Sequence, residues 1–143
     1  MRAARAFYVT DTHPFLWYLV GDTRRLGPAA RVAFDQAEAG RAVIIIPSIV
    51  LAESLHVSEK GRMKVSEKGR MKFKFERVLE MIESALNYRI YPLDLPVIRR
   101  ASDLKGVSEI HDRIIVATAK HLELELITDD EEVRTSGQVG VVW

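Results

Sequence analysis

Phe7-Tyr8-Val9-Thr10-Asp11-Thr12-His13-Pro14 carries the clearest structural signal in the chain. A mostly apolar run meets an aspartate and then enters an apolar segment headed by proline. A short apolar run of this kind reads as a buried strand. Proline suits the first turn of a helix, because its missing N–H had no partner there anyway. The spacing therefore predicts a strand over 7–10 and a helix over 14–20, with Asp11 at the carboxyl end of the strand. Open α/β sheets bind their ligands at that end.

Outward from there, Gly21-Asp22 reads as a turn, and Gly27-Pro28 opens a helix through about 39, stopped by Gly40. Ala42-Val43-Ile44-Ile45-Ile46 is a continuous run rich in β-branched residues, the pattern of a strand covered on both faces of a parallel sheet. Pro47 ends it, and Ser48 is the expected N-cap of a helix through Glu53. Apolar spacing then predicts a helix over 75–86 (Phe75, Val78, Leu79, Ile82, Leu86) and a strand over 89–93. A short helix over 96–104 follows, and another over 112–122 with Ile114, Ile115, Ala117, Thr118 and Leu122 facing inward. The last strands fall at 124–128 and, at the sheet edge, 139–142. Strands alternating with helices argue for α/β with a largely parallel sheet. Trp17 and Tyr18, on an apolar helix, read as core packing before base stacking.

The composition bounds the answer. A chain of 143 residues, 48% apolar and 29% charged, fits one domain over 1–143 of the globular class. It has no cysteine, which excludes disulfides, thiolate zinc sites and cysteine nucleophiles. The longest pure apolar run, 42–47, is far below the ~20 residues of a membrane helix. The N-terminal apolar stretch breaks at Asp11, too early for a signal peptide, so a cytoplasmic protein is expected. The net charge of +1 hides an asymmetry: residues 57–77 hold eight Lys/Arg against three Glu, leaving the remainder at −4. Such a segment reads as a solvated surface or as the seat of a polyanion beside an acidic centre.

Inside that segment lies a tandem duplication. Val57-Ser-Glu-Lys-Gly-Arg-Met-Lys64 recurs unchanged as Val65–Lys72, and two copies are too few for a solenoid. Gly61 and Gly69 are each able to end a helix. Either the first copy stops the helix at about Lys60 and the second loops out, or the helix continues to about Lys68. Val57, Met63 and Val65 could keep one face of a longer helix partly buried, so the helical extension is the expectation, with Gly61 in mid-helix costing ~1 kcal/mol.

Four acids stand out for their position. Asp11 and Asp130 follow separate strands, Glu53 lies in the early turns of the helix after the second strand, and Asp112 begins a late helix. Right-handed crossovers bring such strand exits and helix starts to one edge; Asp112 joins them only if its helix starts there. Each alone has a plainer reading: a helix cap for Asp112 and Asp130, an Asx-turn for Asp11, a surface acid for Glu53. Together they would repel one another unless protons or cations intervene. An all-oxygen set suits Mg²⁺ or Mn²⁺ and not zinc, and such ions activate water against phosphodiesters.

The segments Tyr8-Val-Thr-Asp-Thr-His13 with Leu16-Trp17, Leu51-Ala-Glu53, Glu109-Ile-His-Asp-Arg-Ile-Ile-Val-Ala-Thr-Ala119 and Leu126-Ile-Thr-Asp-Asp130 resemble the motifs of PIN-domain proteins. The likeness is strongest to the VapC-type toxins of toxin–antitoxin pairs. It runs from residue 7 to the C-terminus, interrupted by the second repeat copy. The resemblance implies a three-layer α/β/α fold around a mainly parallel sheet of about five strands. It also implies a Mg²⁺- or Mn²⁺-dependent endoribonuclease that forms a homodimer and is inhibited by an antitoxin. By motif, Asp11, Glu53, Asp112 and Asp130 match the four acidic positions. Glu109 falls where many relatives carry aspartate, Thr12 matches a hydroxyl position beside the first aspartate, and Asp129 is the less favoured neighbour of Asp130. Arg113 could contact phosphate or pair with a neighbouring acid. Lys60, Arg62, Lys68, Arg70 and Lys72 are the candidates for RNA-backbone contact. The duplication departs from the family pattern, and the expectation is an assembly altered by a protruding or exchanged helix.

Other chemistries fit less well. His13, His56, His111 and His121 invite a metal-free ribonuclease with two histidines as acid and base, but a histidine beside a carboxylate is more often its hydrogen-bond partner. A phosphoacceptor receiver would want a lysine after a late strand, which is missing here, as are a P-loop and a Gly-rich dinucleotide fingerprint. A non-catalytic module that binds antitoxin or RNA is the alternative from a different class.

Overall fold

The computed structural model describes residues 4–61, 63–66 and 69–143, the segments between 63 and 71 by backbone alone. Five parallel strands form the central sheet in the order β5-β2-β1-β6-β7: β1 (Ala6–Thr10), β2 (Ala42–Pro47), β5 (Tyr88–Tyr91), β6 (Glu125–Ile127) and β7 (Val141–Val142). All six residues of β2 are buried, which requires cover on both faces, as its unbroken β-branched run predicts. The helices are α1 (Thr12–Val20), α2 (Pro28–Glu38), α3 (Ser48–Lys60), α4 (Phe75–Ser84), α5 (Leu95–Asp103), α6 (Ile110–Leu122) and α7 (Glu131–Ser136). The result is the expected three-layer α/β/α arrangement. Val9, Val43, Ile44, Ile46, Leu126 and Ile127 of the sheet pack with Phe15, Leu16, Phe34 and Ile115 of the helices in one core, all essentially free of solvent.

The strand order explains where a site can form. The chain winds outward from β1 to β2 and β5, then returns to lay β6 on the other side of β1. That reversal opens a crevice at the carboxyl ends of β1 and β6. Asp11 and Thr128-Asp129-Asp130 emerge there, and the Asp11 N–H donates to the Ile127 carbonyl at 3.0 Å, stitching the two exits together.

Several boundaries differ from the sequence reading. Helix α1 starts at Thr12, two residues before the proline, because the Asp11 carboxylate accepts the Thr12 N–H and serves as its N-cap. Helix α6 starts at Ile110 with Glu109 as cap, which places Asp112 in the first turn instead of at the start. Ser48 is not a cap: its hydroxyl accepts the Leu93 N–H at 3.0 Å, fastening α3 to the loop after β5. Helix α4 stops at Ser84, leaving Leu86 90% exposed and outside the core. In α6, five consecutive residues from Ile115 to Ala119 are buried, so the helix is enclosed on all sides and not on a single stripe.

The duplication is not helical, and the predicted extension is corrected. Helix α3 ends at Lys60, where Gly61 adopts the left-handed conformation (φ 56°) and its N–H donates to the Ser58 carbonyl at 3.3 Å. Beyond it, β3 (Met63–Ser66) and β4 (Gly69–Met71) form a separate antiparallel pair, with Met63 opposite Met71 and Lys64 opposite Arg70. The end of the first copy, Met63 and Lys64, therefore pairs with Met71 and Arg70 of the second, and the described residues of the repeat beyond Gly61 form a hairpin instead of a longer helix. Arg62 and Lys68 lie outside the described residues, and Arg70 is described by backbone alone. Lys60 and Lys72, at either end, are exposed.

Candidate active site

Three of the acids are held by the local rules that shape helix starts. Asp11 caps α1, Glu109 caps α6 by accepting the Asp112 N–H at 2.9 Å, and Asp130 caps α7 by accepting the Val133 N–H at 2.9 Å. Each carboxylate thus meets the positive end of a helix, which offsets part of the cost of crowding like charges. Asp130 is the cap that its plainer reading expects, whereas Asp11, read as an Asx-turn, is the N-cap of α1. For Asp112 the cap is Glu109.

Two threonines lock the cluster. Thr128, fully buried, donates its hydroxyl to Asp11 Oδ2 at 2.8 Å and accepts the Asp130 N–H at 3.1 Å. Thr12, also buried, donates to Glu53 Oε1 at 2.7 Å and so joins α1 to α3. Thr128 escaped the sequence reading as a site residue; a hydroxyl at the last position of a buried strand, just before an acidic pair, was the available signal.

Several of these acids perturb one another's protonation. Burial first, and then the charges of Asp11, Asp130, Glu109 and Glu53, push the Asp112 carboxyl up to about 7. Burial raises Asp11 as well, against the lowering pull of the Thr128 and Thr12 hydrogen bonds, and Asp130 adds to the rise. Glu53 is raised by burial and by Asp11, opposed by Thr12 and by the charges of His111 and His13. Glu109 goes the other way. What burial it has raises it, but the Asp112 and His111 hydrogen bonds prevail and hold it below the usual range. Its Oε1 lies 2.7 Å from His111 Nδ1, so His111 is engaged as a hydrogen-bond partner.

The remaining predicted residues sit apart from this cluster. Arg113 donates from Nε and Nη2 to the Ala101 carbonyl at 3.3 and 2.9 Å, tying α6 to α5, and forms no ion pair with an acid among the described residues. Asp129 is exposed, while Asp130 is half-buried. Trp17 and Tyr18 pack against the core, and the Tyr18 hydroxyl donates to Glu38 at 2.6 Å. His121 accepts from Arg100 Nε, at the opposite end of α6.

In its chemistry the donor set fits a hard divalent cation: carboxylate and hydroxyl oxygens, mutually repelling, with no sulfur. Among the described residues, no three His, Asp or Glu side chains already stand at the spacing that would hold an ion in common. The arrangement is a set of neighbouring acids, not a closed coordination shell among the described residues.

A family model described as the PIN domain matches residues 8–136 of this chain. No curated protein matches it significantly. Among solved structures, VapBC2 from Rickettsia felis bound to a fragment of promoter DNA is similar at 17% identity with a TM-score of 0.65, covering 94% of this chain and 96% of that one. A toxin–antitoxin complex from Klebsiella pneumoniae gives 19% identity and a TM-score of 0.62, with coverage of 92% and 94%. FitAcB from Neisseria gonorrhoeae gives 21% and 0.59, with coverage of 94% and 95%.

Proposed function

Because the chain belongs to the PIN-domain family, we propose that it is a Mg²⁺- or Mn²⁺-dependent endoribonuclease, the toxin of a toxin–antitoxin pair. The observation that carries this reading is the hydrogen bonding that gathers the acids, Thr128 joining Asp11 to the Asp130 N–H and Thr12 holding Glu53, beside an Asp112 carboxyl raised in part by their charges. A cluster of like charges held this close gains free energy from any divalent cation it takes in. The similarity in fold to toxin–antitoxin complexes supports a toxin role and an antitoxin partner. No described helix is long and apolar enough to cross a membrane.

In this reading Asp11, Asp112 and Asp130 hold the ion, with Glu53 completing the set; bound there, the ion would supply an activated water and neutralise the leaving oxygen. Thr128 keeps Asp11 Oδ2 in place, and Thr12 keeps Glu53 turned toward the crevice. Glu109 orients α6 by its cap, so that Asp112 enters the crevice from the first turn. Exposed Lys60 and Lys72, with Arg62, Lys68 and Arg70 between them, supply positive charge for the RNA backbone.

The alternative is a PIN module that binds RNA or antitoxin without cutting. The deciding experiment is cleavage of a structured RNA with Mg²⁺ or Mn²⁺. The nuclease reading expects cleavage that EDTA stops and that Asp11→Asn abolishes in a folded protein. RNA that binds but stays intact with either metal would select the module.

A further inference from the structure

A cavity of about 440 Å³ adjoins the acidic cluster, lined by Ile49, Ala52, Glu53, His56, Val57 and His111. Its volume falls within the ~300–1,000 Å³ usual for small-ligand sites. Five of these residues stand at i, i+3, i+4, i+7 and i+8, so they form one stripe along α3. His111, on the first turn of α6, closes the opposite wall. Glu53 belongs to both the cavity and the acidic cluster, which makes the two continuous.

The lining has a definite chemistry. Ile49, Ala52 and Val57 give an apolar wall, and two imidazoles, His56 and His111, stand at an open mouth where both are exposed. His111 is held by Glu109 at 2.7 Å, so its ring is oriented instead of free to turn. Apolar walls with oriented aromatic nitrogens suit a flat heteroaromatic ring, which stacks on imidazole and exchanges hydrogen bonds at its edge. Among the described residues of this lining there is no lysine or arginine to receive a phosphate.

The geometry points to a nucleobase subsite, in which a base next to the scissile phosphate enters the cavity between α3 and α6. It would select the base at the cut position, the choice that the acidic cluster alone has no means to make. The inference rests on the ribonuclease reading for its substrate, but the binding itself is testable without cleavage.

The histidine ring protons of the full-length protein are followed by NMR in EDTA, while nucleoside monophosphates, ribose phosphate and N-acetyl-leucine amide are titrated separately. The expected result is that His56 and His111 move together and saturably with at least one nucleoside monophosphate, and not with ribose phosphate. Ala52→Trp, which fills the cavity from an exposed position, should abolish the shifts while His13 and His121 stay in place. In the cleavage assay the same substitution should reduce the preference for the favoured base about tenfold. Equal shifts with ribose phosphate, larger shifts with the leucine amide, or shifts insensitive to Ala52→Trp would each overturn the subsite. Base-dependent shifts in a protein that cuts no RNA would uphold the subsite and reject the nuclease.

Discussion

Asp112 makes the fold itself sensitive to pH. Its carboxyl is raised, by burial first and then by four neighbouring acids, from an ordinary 3.8 to about 7. A group with a higher pKa folded than unfolded takes up a proton on folding between those values. Its contribution is therefore complete below about pH 4 and lost as pH rises through 7. Because Asp112 is half-exposed, solvent screening discounts the effect to roughly 1–2 kcal/mol. The melting temperature of the metal-free protein should fall by several degrees between pH 5 and pH 8, and Asp112→Asn should flatten that slope. Saturating Mg²⁺ should restore stability at pH 8 if the cluster binds it. Asp11→Asn belongs to the same scale: cleavage should drop by at least about 100-fold, with circular dichroism and melting temperature retained or improved, because one repelling charge is gone. Thr128→Val keeps the volume but removes the donor to Asp11 and the acceptor for the Asp130 N–H. It should cost about 1–2 kcal/mol, read by urea denaturation.

At the scale of elements, α2 begins without a side-chain cap, and the Trp143 carbonyl takes over by accepting the Ala29 and Ala30 N–H groups at 2.7 and 3.2 Å. That contact leaves no room at Gly27, where a Cβ would lie 2.5 Å from the Trp143 carbonyl carbon. Gly27→Ala should therefore cost about 1–3 kcal/mol, measured by denaturation, and loosen the last residues in hydrogen exchange. Elements were legible in proportion to their periodicity. The strand at Ala42 and the crevice acids Asp11 and Asp130 could be placed because buried strands mark their own ends. The six residues of α7 are too few to show a helical period, so the helix itself went unread although Asp130 was legible as a cap. Glu109 and Asp112 are three apart, and the sequence does not tell which of them starts the helix. The hairpin was invisible for another reason: Met63 opposite Met71 is a cross-strand pairing between repeat copies, and the spacing of apolar residues along the chain does not reveal which residues pair across strands.

For the whole molecule, the homodimer that the family resemblance implies would have a surface available. Edge strand β5 and the start of α5 expose Ile90, Leu93, Leu95 and Ile98 within nine residues of chain. If that edge is the interface, light scattering should give a dimer for the wild type and a monomer for Leu95→Asp/Ile98→Asp, with the monomer still folded by circular dichroism. Deleting 65–72 should leave the dimer unchanged, since the described residues of the repeat beyond Gly61 form a hairpin instead of a longer helix.

The self-paired repeat also marks where this architecture accepts foreign sequence. It sits between Gly61 and α4, outside the five-stranded sheet, and eight additional residues in a connection cost under about 1 kcal/mol in closure entropy. Replacing the second copy with a peptide tag or a short reporter should leave the crevice at β1 and β6 intact, making this connection a practical port for labelling or tethering the protein.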